Sequence, residues 1–304
     1  MILIVGATGL LGRATALQLL KQGIAVRALV RDPAKADDLQ RAGAELVRGD
    51  LTEPATLAAA CRGARHVFAC AHSMLGRGRN ASVQVDLVGH SALVSAARDA
   101  GVAHFVYTSL MGAHPEHPID FFRSKYEVEE VLRASDMGHT ILRPAAFMEA
   151  HVHRFNGQLL LEKGFTVIVG PGTRPRNFVA VRDVAAFAVQ ALQDDSLVGR
   201  RLEIGGPDNL GNREIADMYA VRARRGRIYH LPVGVARVMA TAIRPLHEGV
   251  ARVLDLACVP DDELPETWQP KALLAEFPRT LTTVDAFIDE RVAEWRRGQR
   301  RSSR

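Results

Sequence analysis

Residues 1–23 read "MILIVGATGLLGRATALQLLKQG", and this stretch decides the fold. A short apolar run, Ile2 to Val5, meets a glycine-rich turn. The turn opens into a segment whose apolar positions recur at helical spacing and stop at Gly23. Gly6, Gly9 and Gly12 form a G-x-x-G-x-x-G pattern between the two. In that context Gly6 permits the tight bend and Gly9 lets backbone approach a pyrophosphate. Gly12 lets the helix pack closely on the strand. Thr8, Leu10 and Leu11 belong to the same turn, and the first helical N–H groups present a partial positive charge to an anion. A dinucleotide site built on Gly6, Thr8, Gly9, Leu10, Leu11 and Gly12 is the expectation.

Working outward, the pattern repeats. "AVRALVR", "AELVRGD", "RHVFAC", "AHFVYTS" and "HTILRP" read as strands, each separated from the next by a helical stretch. The stretch "SVQVDLVGHSALVSAARDAG" reads as one long helix. Strands alternating with helices mean a parallel sheet covered on both faces. The fold class is therefore α/β, a doubly wound parallel-sheet Rossmann fold, with a smaller, mostly helical C-terminal region for a substrate or partner. Residues 1–206 form the dinucleotide-binding domain, with an insertion at about 148–176. Residues 207–294 form the small C-terminal region and 295–304 a basic tail.

Charge narrows the choice of partners. The chain of 304 residues carries a formal net charge of +5, yet "WRRGQRRSSR" at its end holds five arginines and no acid. The rest is neutral, so the basicity belongs to a frayed, solvated end and nucleic acid is disfavoured. Three cysteines, Cys61, Cys70 and Cys258, stand at wide spacings without a C-x-x-C, which suggests reduced thiols and a cytoplasmic setting. With a strand at the very start no signal peptide is expected, and no apolar run approaches the length of a membrane span. His151 and His153 fall on different faces of a helix, and no metal site is expected.

The second strand ends "LVRD". A site for NAD(H) places an acid there for the ribose hydroxyls; here Val30 takes that place and Arg31 follows. A guanidinium pairs well with a 2′-phosphate, so Arg31, with Arg13 as a second partner, predicts NADP(H) over NAD(H). Asp32 could still face a ribose. "VRGDL" ends the third strand, where Asp50 can accept from the adenine amino group and Leu51 pack on the ring. Asp50 also suits a helix cap, and both roles can hold.

The stretches "GATGLLG", "GDL", "SKYEVEEVL", "HTILRPAAFME", "NFVAVRDVA" and "LEIGGPD" occur here in the order seen in atypical short-chain dehydrogenases of the NmrA-like group, which the chain resembles over nearly its whole length. The group includes NADPH-dependent quinone and azo-type reductases, redox sensors that hold NADP without turning it over, and photosystem assembly factors. The last branch resembles "HLPVGVARVMATAIRPL" and "TLTTVDAFIDE" in this chain. The resemblance implies that Lys125 reaches the nicotinamide ribose and that the loop "ACAHS", with Ala71, runs along the cofactor. It implies a substrate pocket near Ser109, His114, Phe121 and Phe147.

"DFFRSKYEVEE", Asp120 to Glu130, departs from the dehydrogenase signature Tyr-x-x-x-Lys. Lys125 is in place, but Phe121 stands where the tyrosine would, and Leu110 takes the usual serine place beside Ser109. Tyr126 is no substitute, because one helical step turns a side chain by about 100°. Without a proton donor, alcohol–ketone chemistry is disfavoured. Hydride transfer to a quinone-like or other conjugated acceptor survives, with Lys125 as the cofactor-orienting residue of the catalytic site. His114 or His117, in the loop "GAHPEHPID", could supply a proton. The alternative is an NADP(H)-holding sensor or assembly factor that acts on a protein partner. Val235, Val238, Met239, Ala242 and Leu246 at helical spacing, flanked by Arg237, Arg244 and Arg252, would bury against the chain's own domain, cover a substrate pocket, or face that partner or a membrane surface.

Overall fold

The computed structural model describes residues 1–259 and 267–302. In chain order the strands are β1 (Ile2–Val5), β2 (Val26–Val30), β3 (Glu45–Arg48), β4 (His66–Ala69), β5 (His104–Thr108), β6 (Gly138–Pro144), β7 (Ala146–Phe147), β8 (Phe165–Val169), β9 (Arg176–Val179), β10 (Arg201–Ile204), β11 (Asn209–Leu210) and β12 (Arg227–Leu231). The α-helices are α1 (Leu10–Lys21), α2 (Asp37–Arg41), α3 (Leu57–Cys61), α4 (His90–Asp99), α5 (Asp120–Arg133), α6 (Gln158–Lys163), α7 (Val181–Ala191), α8 (Asn212–Ala223), α9 (Val233–Ile243), α10 (Glu248–Ala257), α11 (Lys271–Glu276) and α12 (Val284–Ser302).

The chain divides into two compact units. The first comprises residues 1–144, 184–203 and 244–253; the second comprises 145–183, 204–243 and 254–304. This division is discontinuous, and it groups the stretch read as an insertion at about 148–176 with the C-terminal residues.

In the first unit the sheet order is β10-β6-β5-β4-β1-β2-β3. Strands β2 and β4 both pair in parallel with β1, so the winding direction reverses there. A doubly wound sheet opens a crevice at such a reversal, beyond the carboxyl ends of the strands. All four residues of β1 are buried, as a strand covered on both faces requires. Leu3, Val5, Leu93, Phe105, Tyr107, Val128 and Leu132 are among the residues of one continuous core. The stretch read as one long helix begins as a π-helical segment, Val83–Gly89, before α4 continues it. Gly89 packs against Leu51 here, and a Cβ on it would lie 2.8 Å from the Leu51 carbonyl oxygen.

The second unit carries α8, α9, α11 and α12 of the expected helical C-terminal region. It holds a three-stranded sheet, β11-β9-β7, and a two-stranded parallel sheet, β12-β8. Its own core gathers Met148, Val152, Leu160, Phe178, Tyr219, Phe287 and Ile288. The last helix continues through the basic segment to Ser302 rather than fraying at residue 295. Arg296 donates to the Arg222 carbonyl, which ties that segment to α8. Residues 303 and 304 lie outside the described residues.

Candidate functional site

A cleft of about 220 Å³ opens at the ends of β1, β2, β3 and β4, at the reversal of the sheet. Gly6, Thr8 and Gly9 form one wall. Arg31, Asp50, Leu51 and Ala71 line the rest, together with His72 and Ser73.

The glycine wall is fixed by backbone approach. Gly6 has φ +99°, and a Cβ there would lie 2.6 Å from the Ala71 nitrogen. A Cβ on Gly12 would lie 2.3 Å from the Gly6 carbonyl oxygen. That oxygen accepts from the Gly9 N–H at 2.9 Å. Helix α1 begins after Gly9 with no side-chain cap, which leaves its first N–H groups for an anion. Such a cradle fits a dinucleotide pyrophosphate. Leu10 is exposed and Leu11 is in the core, so their side chains do not line the cleft; only their N–H groups could serve it.

The two arginines part company. Arg31 is exposed in the cleft and forms no ion pair among the described residues. Arg13 pairs with Asp38 and donates to the Lys35 carbonyl at 2.8 Å, and it does not line the cleft. Asp32 caps the 3-10 turn Pro33–Ala36, accepting from the Ala34 N–H at 3.2 Å. The Asp50 carboxylate accepts from the Thr52 N–H at 2.9 Å and still faces the cleft.

Lys125 is 3 % exposed. Its Nζ donates to the carbonyls of Thr108, at 3.2 Å, and of Ala71, at 3.4 Å. Asp86 Oδ1 lies 3.6 Å away, and the rings of Tyr107 and Phe121 have centroids 5.0 and 5.7 Å from Nζ. Burial lowers the lysine pKa, and the Asp86 charge opposes that shift. Asp86 itself is fully buried. Its Oδ2 accepts from the Ser73 N–H at 3.0 Å and the Ser82 hydroxyl at 2.9 Å. Its Oδ1 has no hydrogen-bond partner, so the ammonium of Lys125 compensates it.

Other segments hold this arrangement in place. Arg252 is 5 % exposed and donates to both oxygens of Asp120, at 2.6 and 2.8 Å, and to the Met74 carbonyl at 2.7 Å. Gly249 lies against the Leu75 backbone, where a Cβ would stand 2.3 Å from the carbonyl carbon. The first half of α10 thus fixes both the loop after β4 and the start of α5. The sequence had placed Arg252 on a flank; it is a buried clamp.

The remaining sequence-derived residues separate. Ser109 is buried and its hydroxyl has no partner. Phe121 is 8 % exposed. His117 is fully buried and stacks on Phe122 with centroids 3.8 Å apart, and its Nδ1 accepts from the Ile119 N–H. That makes it a core histidine, which corrects its reading as a proton donor. His114 stands edge-on to His117, 5.1 Å away, and does not line the cleft. Phe147 belongs to the second unit, where it pairs with Val179. Among the described residues, no group of three or more metal-ligating side chains converges.

The NmrA-like family model matches residues 1–232. The chain belongs to the NmrA-like family. Over 226 residues it is 34% identical to an NAD(P)H azoreductase of Xenophilus azovorans, covering 74% of each chain. It is 30% identical over 246 residues to the photosystem II assembly factor Ycf39 of Synechocystis sp., covering 80% of this chain and 74% of that one. An NADPH-dependent quinone oxidoreductase from Escherichia coli, solved with NADPH, shares the fold with a TM-score of 0.77. Its identity is 24%, with 95% of this chain and 99% of that one covered.

In this NmrA-like chain, Asp86, His72 and Arg252 are the site residues that sequence reasoning missed. Asp86 left one signal, a lone acid inside the apolar run "VQVDLV". His72 lay within the loop assigned to the cofactor but was not singled out.

Proposed function

We propose that this NmrA-like protein is an NADPH-dependent reductase of quinone-like or other conjugated acceptors. The observation that carries the reading is Lys125, buried next to the glycine-walled cleft and held by Asp86 and two carbonyls. A buried ammonium is costly as a packing element alone, and an arrangement of this kind marks a site. The azoreductase and quinone oxidoreductase relatives support a reductase.

When bound, a reduced nicotinamide supplies a hydride. The chain's own residues do the rest. Gly6, Gly9 and the amide groups of Thr8, Leu10, Leu11 and Gly12 would bind the pyrophosphate, and Arg31 the 2′-phosphate. Arg13 is engaged elsewhere, so the preference for NADP(H) rests on Arg31. Asp50 and Leu51 would bound the adenine beside Ala71. Lys125 would orient the nicotinamide ribose. Phe121, four residues before Lys125, has no proton to give, which favours acceptors that delocalise the incoming charge. Tyr107, Thr108 and Ser109 carry nearby hydroxyls with unused hydrogen-bonding capacity.

The test is consumption of NADPH and of NADH by purified protein with quinones, azo dyes and enones. Turnover favouring NADPH and lost in Lys125→Ala is expected. Tight NADPH binding with no oxidation by any acceptor would overturn it and support the second reading, an NADP(H)-holding sensor or assembly factor. One observation favours that second reading: α9 exposes Val235, Val238 and Met239 along one face, as a protein-binding stripe would.

A further inference from the structure

The reductase reading leaves the proton unassigned. Phe121 cannot give one, and His117 is locked in the core. The wall of the same cleft holds one other acid–base group that is exposed, His72. Its ring stands edge-on to Phe121 with centroids 6.1 Å apart, and Phe121 in turn lies under Lys125. Phe121 is nearly covered whereas His72 is open to the cleft. The imidazole therefore occupies the polar position next to the one a tyrosine would fill.

The loop that carries His72 is tethered at three points. Ser73 donates its N–H to buried Asp86, and its hydroxyl donates to the Asn80 carbonyl at 2.5 Å. Arg252 holds the Met74 carbonyl. An exposed side chain on a tethered backbone is how a group is aimed at a ligand.

We propose that His72 is the proton donor of the reductase, standing in for the tyrosine that the chain lacks. The proposal rests on the reductase reading above. The acceptor takes a hydride, with its electron pair, from C4 of a reduced nicotinamide, which is thereby oxidised. Negative charge collects on the acceptor oxygen. The N–H bond of the His72 imidazolium breaks as the O–H bond forms, so a quinone leaves as hydroquinone. The neutral imidazole then regains a proton from solvent.

Three influences set the acidity of the imidazole. Desolvation pulls its pKa below the usual histidine value, Asp86 raises it, and Lys125 lowers it. The protonated donor is then favoured on the acid side of the ordinary histidine range, so kcat falls as pH rises toward neutrality.

The experiment measures NADPH affinity by fluorescence titration and steady-state reduction of a 1,4-naphthoquinone between pH 5 and 9. Wild type, His72→Phe and His72→Gln are compared. Both variants are expected to bind NADPH within about twofold of wild type. Their kcat at pH 5.5 should fall at least about tenfold and lose its decline with pH. Carbethoxylation of His72, followed by mass spectrometry, gives a readout apart from turnover. NADP+ with the hydroquinone should slow it at least about tenfold. If wild type turns over and both variants match it in rate and pH profile, or if ligands leave His72 equally reactive, the proposal is overturned and the reductase reading stands. If wild type binds NADPH and reduces no acceptor, both fall.

Discussion

The two ends of the cleft are built by different means. At the glycine wall, backbone does the work: Gly6 and Gly12 matter because a Cβ would strike main-chain atoms of Ala71 and of Gly6 itself. At the Lys125 end, side chains from separate segments do it: Asp86 precedes α4, Lys125 comes from α5, His72 from the loop after β4, and Arg252 from α10. The first kind tolerates no added atom. The second tolerates shape changes but not an unpaired charge. Substitutions at the two ends should therefore fail in different ways.

The largest effect is expected from Gly12→Ala. Its methyl group has rigid backbone in its path, and the substitution should cost more than about 4 kcal/mol or abolish folding. Urea unfolding checks the stability, and NADPH binding should be lost with it. Wild-type stability in this variant would mean that the turn is softer than its contacts indicate.

Asp86→Ala comes next. It strands the Lys125 ammonium in the core and should cost about 3 kcal/mol. The double variant Asp86→Ala with Lys125→Met should regain much of that stability without regaining cofactor affinity. Equal stability of the single and double variants would show that the pair is not coupled.

Acid should act at the Lys125 end. His90 is fully buried, and its Nδ1 donates to the Val85 carbonyl at 2.8 Å. Burial first, and then the Lys125 charge, push its pKa down to about 3. The unfolded chain takes up a proton near the ordinary histidine pKa, while the folded chain does not until far lower pH. Its stability contribution is thus fully present above about pH 6.5 and is lost as pH falls toward 3. The loss should be roughly 2 kcal/mol between pH 6.5 and 5. His90→Leu should flatten that part of the curve in urea titrations; an unchanged slope would assign the acid loss to other histidines, such as His104.

A smaller effect should be that of Arg31→Ala, about tenfold weaker NADPH binding with NADH binding nearly unchanged. Parallel titrations check it. Equal losses for both cofactors would place Arg31 against a phosphate that they share. Arg13→Ala should leave affinity nearly intact, since Asp38 already holds that side chain.

Much of the first unit was legible in the sequence, because periodicity and glycine spacing are local. The strand, turn and helix of residues 1–23 follow from apolar spacing and three glycines. The alternation through Pro144 follows from the same logic, and it reaches as far as the parallel sheet. The short strands β7, β11 and β12 were not legible, since a pair or handful of residues carries no period. Sequence alone also could not separate Arg13 from Arg31. Both stand at plausible spacing, and only the placement of Asp38 decides which one is free.

By itself the sequence determined the fold class, the glycine cradle and Lys125 as the residue to watch, because each rests on neighbours close along the chain. The tertiary structure alone decided what surrounds Lys125. Asp86 lies 39 positions from it and Arg252 lies 132 positions from Asp120, and nothing in local spacing couples residues so far apart. Burial made those pairings obligatory: a charge removed from water must find its counter-charge wherever the fold provides one.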